Sequence, residues 1–126
     1  MDAQTVLETF AMMAGLTSTE AAEWALLCNK SISEIEYLIK PDVDLTDTDI
    51  NSRLNSVAAA LSFYRYVCYR VSGNGTDSFT AGEIQIKGMD KKVGIETARS
   101  ILREAKMSVT DLLIDNNFVF EEINNL

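Results

Sequence analysis

Histidine, the side chain that most often carries general acid–base work near neutral pH, does not occur in this sequence. Any catalysis would fall to carboxylates, hydroxyls and thiols. The two cysteines, Cys28 and Cys68, each sit inside a helical pattern, with no CxxC pair and no histidine to complete a zinc site. They read as reduced thiols that pack like small apolar side chains in an intracellular chain. Asp42, Asp44, Asp47 and Asp49 form an acidic run. The glycine and distal glutamate of an EF-hand loop are missing at their spacing, so the run reads as a solvated loop leading into a helix. Gly73, Gly75 and Gly82 are not followed by Gly-Lys-Ser/Thr, which excludes a phosphate loop. Serine, threonine and cysteine nucleophiles have no evident base beside them. The expectation is a protein that is not an enzyme and uses no cofactor, metal or small-molecule substrate. A carboxylate-only or metal-dependent enzyme stays open, although spacing selects no pair of acids for it.

The elements that would position these residues are mostly helical. Val6, Leu7, Phe10, Met13 and Ala14 share one face of a first helix over Ala3–Ala14, with Gly15 as its left-handed stop. Thr17 and Glu20 have the spacing of a capping box. They start a second helix that reaches Asn29, on which Trp24, Leu27 and Cys28 share a face. Ser31 and Glu34 repeat the signal and predict a third helix, carrying Ile35, Leu38 and Ile39, that ends before Pro41. Thr46 reads as the cap of a long fourth helix, with Asp49 at its third position and Leu45 and Ile50 as a staple. From there Ile50, Leu54, Val57, Leu61, Tyr64, Cys68 and Val71 step by 4, 3, 4, 3, 4, 3, one seam on one helical face. Phe63, Tyr66, Val67 and Tyr69 add apolar surface elsewhere on it. A helix that is apolar all round is either central or covered by a partner. Residues 72–77 then read as a loop, and Ile84 and Ile86 alternate with Glu83, Gln85 and Lys87 in the period of a strand. A helix over 90–106 follows, with Ile95, Ala98, Leu102 and Ala105 inward. A short last helix from Ser108 or Thr110 through Leu113 comes next, and 116–120 is apolar enough to dock.

The expected fold is therefore mainly α. It is a helical bundle with one long central helix and a short β-hairpin or extended segment before the penultimate helix. As a single domain it divides into a short-helix cluster over 1–45, the central helix over 46–72, the hairpin or arm over 77–88 and C-terminal helices over 90–126. At 126 residues and 47% hydrophobic, the chain is long enough for one real core and is not a disordered tail. No apolar run approaches the ~18 residues of a membrane span. The N-terminal ten residues carry acids and no Lys or Arg, unlike a secretory signal. The net charge of −8 is unevenly placed: 1–50 holds ten acids against two lysines, while 51–126 holds nine of each. This segregation suggests charged surfaces that complement one another between subunits, and it lacks the basic footprint of a nucleic-acid binder.

Three segments in order carry a resemblance: YRYVCYRVSGNG at 64–75, SFTAGEIQIKG at 78–88 and VGIETARSILREAK at 93–106. A long aromatic helix, then Gly82-Glu83-Ile84-Gln85-Ile86, then another helix resembles the small head–tail connector (adaptor) proteins of tailed phages and prophages. The likeness covers about 47–120. It implies a helical structural subunit, cytoplasmic in a bacterial host and virion-associated, that forms a ring at the portal. Its implied partners are copies of itself and portal or tail-completion proteins, with DNA only as a passenger that does not stick. The expected subunit interface comprises Phe79, Glu83, Ile84 and Ile86 on the strand-like segment, with Tyr66 and Arg70 on the long helix. The alternative is a small acidic helical regulator or inhibitor that binds a host protein.

Overall fold

The computed structural model describes residues 1–72 and 91–114. Helix α1 spans Ala3–Ala14. Asp2 caps it by accepting from the Thr5 amide, and Gly15 at φ 71° closes it while Leu16 N–H reaches back to Ala11 at 2.9 Å. That is the left-handed stop the sequence predicts. Helix α2 spans Ser18–Ala22 and opens on the expected capping box: Glu20 N–H donates to the Thr17 hydroxyl at 3.1 Å, and Thr17 N–H to the Glu20 carboxylate at 2.9 Å.

The next boundary is not where the sequence reading puts it. The helix stops at Ala22 and not near Asn29, and α3 runs unbroken over Ala25–Leu38. The chain turns at Glu23 and Trp24, which places the indole against α4. Ser31 and Glu34, read as a restart, are committed to α4 instead. Ser31 is fully buried, and both accept from Arg65, at 3.4 and 2.7 Å.

Helix α4 spans Thr48–Ser72, 25 residues. Its cap is Asp47, whose carboxylate accepts from the amides of Asp49 (2.8 Å) and Ile50 (3.1 Å). Thr46 donates its amide to Asp44 at 2.9 Å and caps nothing. With the frame moved by one residue, Leu45 cannot staple against Ile50, and it is 47% exposed. Helices α1, α3 and α5 (Lys91–Met107) all pack on α4. Three successive alanines, Ala58, Ala59 and Ala60, point in three directions around it, and all are fully buried. The helix is central, as its all-round apolarity requires. The seam holds too, with Leu54, Val57, Leu61 and Tyr64 buried and Ile50, Cys68 and Val71 partly so.

Helix α5 turns Ala98 and Leu102 inward, with Ile95 and Ala105 partly buried. The short helix expected through Leu113 does not form. Residues 108–112 make turns, and Leu113 pairs with Ile39 in an isolated antiparallel bridge. Lys40 N–H to Leu112 (2.9 Å) and Ile114 N–H to Leu38 (2.7 Å) take the backbone groups that a helix would have used. Arg53 fixes the turn by donating to the Ser108 carbonyl at 2.7 Å and to Asp111 at 3.2 Å. The hairpin expected over 77–88 and the docking segment over 116–120 lie outside the described residues.

Candidate interaction surface

An aromatic series climbs from the core to the surface where the α2–α3 corner meets the last turns of α4. Phe10 on α1 is fully buried and sits edge-on to Tyr66 at 5.5 Å. Trp24 stands perpendicular to Tyr66 at 4.7 Å and to Tyr69 at 5.5 Å. These are the edge-to-face arrangements that aromatic quadrupoles favour. Exposure rises along the series, from Tyr66 at 2% to Tyr69 at 64%, and Leu26, two residues past Trp24, is 84% exposed. The Arg70 guanidinium lies 6.0 Å from the Tyr66 ring centre, within cation–π range. Glu20 and Glu23 precede Trp24 in sequence and are exposed. Tyrosine, tryptophan and arginine around an exposed apolar centre are the residue types enriched where proteins meet.

Of the residues expected at an interface, the structure places Tyr66 in the core, where its ring supports Trp24 and does not reach the surface. Arg70 is half-buried beside it. Phe79, Glu83, Ile84 and Ile86 lie outside the described residues. Sequence reasoning names Tyr69 only as further apolar surface on the long helix, not at the interface, and does not name Leu26. Tyr66 and Tyr69 are both apolar additions to a helix already carrying a full seam. Which of them faces outward depends on the Trp24 indole, and only the break at Glu23 sets that position.

The polar groups elsewhere are tied into structure. Asp2 and Asp44 are held below the usual carboxylate range, chiefly by hydrogen bonds from the Thr5 and Thr46 side chains. The acidic run over 42–49 therefore serves a turn and a helix cap. Among the described residues no three of His, Cys, Asp and Glu converge as metal ligands. Burial raises the Cys28 thiol, against an opposing hydrogen bond from Ser62. Burial also pushes the Tyr64 phenol up to about 12, with Cys68 adding to the rise and Arg99 opposing it. A groove of about 310 Å³ between α1 and α4 is lined by hydroxyls and amides, including Thr5, Thr9, Asn51 and Asn55. No described helix is long and apolar enough to cross a membrane. No family model, curated protein or solved structure matches this chain, so a functional reading rests on the surface itself.

Proposed function

We propose that this chain is a structural assembly subunit that docks to other protein subunits, as a head–tail connector does when it forms a ring at a portal. The observation that carries the reading is the aromatic corner, where Tyr69 and Leu26 stand exposed on a rigid base of Trp24, Tyr66 and Phe10. A rigid aromatic anchor loses little conformational freedom on binding, which favours affinity. A ring subunit also needs two different surfaces that meet head to tail. The strand-like text at 77–88 would supply the second, with Phe79, Ile84 and Ile86 as anchors beside Glu83 and backbone pairing to a neighbour. Acidic residues on a lumen wall would repel passing DNA.

One observation favours a second reading. Nine of the ten acids in 1–50 are exposed, Glu34 being the exception, which suits an acidic regulator that binds a basic face of a host protein. Sedimentation across a range of concentrations separates the two. The connector reading expects reversible growth into oligomers, lost in Leu26→Asp/Tyr69→Asp and in Ile84→Asp/Ile86→Asp while circular dichroism stays unchanged. A chain that remains monomeric at every concentration, alone and with portal protein, contradicts it.

A further inference from the structure

Helix α3 turns one stripe outward. Lys30, Ser33 and Tyr37 stand at i, i+3 and i+7, on one side of the helix, and all three are exposed, Tyr37 by 85%. Ile114, 60% exposed, lies at the end of α3, where its N–H donates to the Leu38 carbonyl at 2.7 Å. Two large apolar side chains thus meet solvent beside one backbone bridge. The bridge also sets the direction of the chain. Leu112 accepts from Lys40 and Ile114 donates to Leu38, so the chain passes back toward α3 as it leaves the bridge. Twelve residues follow, Asp115 to Leu126. At roughly 3.3 Å per extended residue they span up to about 40 Å. Lys30, eight residues before Leu38, is only about 12 Å back along the helix. Those twelve residues hold Asp115, Glu121 and Glu122, no Lys or Arg, and the apolar Phe118, Phe120 and Ile123. Lys30 and Lys40 are the only cations in 1–50. One sits on the stripe and the other at the bridge, and neither makes an ion pair among the described residues.

We propose that the outer face of α3 is the docking surface for segment 115–126 of the same chain, with Phe118 and Phe120 covering Tyr37 and Glu121 and Glu122 meeting Lys30. Three observations point to this occupant: the direction in which the chain leaves the bridge, the length that follows, and the opposite charge. A tethered segment meets its face at an effective concentration that a separate molecule rarely matches. Helix α5 carries cations too, among them Arg99 and Arg103, and a segment drawn by charge alone would settle there. The bridge directs it to α3. Leu26 and Tyr69 stay uncovered, so the inference goes beyond the docking reading of the aromatic corner and does not depend on it.

Paired cysteines in the full chain provide the test, since Ser33 is exposed and its replacement leaves the core intact. In Ser33→Cys/Val119→Cys, mild oxidation of a dilute sample is expected to give a disulfide within one chain. Non-reducing electrophoresis and peptide mass spectrometry identify it and tell it from pairs with Cys28 or Cys68. The same bond in Ser100→Cys/Val119→Cys, which places the first thiol on the exposed side of α5, should form several-fold more slowly. Adding Lys30→Glu to the first pair should slow it several-fold, and adding Glu121→Lys/Glu122→Lys to that variant should restore most of the rate. Circular dichroism should be unchanged throughout. A rate no faster than that of the Ser100 pair, or indifference to charge reversal, overturns the proposal. So do disulfides between chains whose share grows with protein concentration, which would make a second copy the cover.

Discussion

Tyr64 shows how a residue legible in sequence as core carries more than packing. Its place on the seam was readable from spacing; its buried hydroxyl was not, because that depends on α5. The folded chain holds the phenol neutral up to about 12, against an ordinary value of 10.0. A raised folded value contributes stability that is fully present below the unfolded value and is lost as pH climbs toward the folded one. Thermal melts should therefore show a fall in Tm between 10 and about 12 that is smaller in Tyr64→Phe. At neutral pH the same variant should cost under about 1 kcal/mol or be stabilising, since it removes a buried hydroxyl with no hydrogen-bond partner among the described residues. A loss well above that would mean that the hydroxyl is satisfied. Asp2 and Asp44 run the other way. Their lowered values contribute stability present above 3.8 that is lost as pH falls. Gly15, Thr17 and Glu20 were legible because their work is local. Ser31 and Glu34 were misread because the same residue types that cap a helix also take an arginine from a neighbouring one.

At the scale of elements, α1, α4 and α5 were readable to within a residue or two from apolar period together with stop and cap residues. The cap of α4 was read one residue early, since Thr46 and Asp47 both suit the position and only the Asp44–Thr46 bond removes the first. Denaturant midpoints should separate them. Asp47→Ala should cost about 1 kcal/mol, the usual worth of a cap, whereas Thr46→Ala should cost distinctly less; equal losses would return Thr46 to the capping role. Gly15→Ala should cost about 1–2 kcal/mol, because its φ of 71° penalises a Cβ. The helix expected after α5 was not legible as absent. What prevents it is Ile39, Lys40 and Arg53, all more than fifty residues away in sequence.

At the scale of the molecule, a central helix covered by α1, α3 and α5 joins one continuous core. Among the described residues the surface left over has an aromatic corner and many exposed acids. Truncating the rod at Leu54 or Leu61, both fully buried, should cost about 2–5 kcal/mol. Changing Leu26 or Tyr69 should cost far less, although each is a large apolar residue. The bundle was legible because burial follows period. The aromatic corner was not, because it arises where two elements meet at a break that no local signal marks. Hydrogen exchange, read by mass spectrometry on the dispersed and the assembled chain, tests the central claim most directly. The account predicts that amides over 54–67 are slowest in both states and that assembly adds protection around Trp24, Leu26 and Tyr69. Fast exchange in 54–67, or an aromatic corner left unprotected while assembly protects another face, would contradict it.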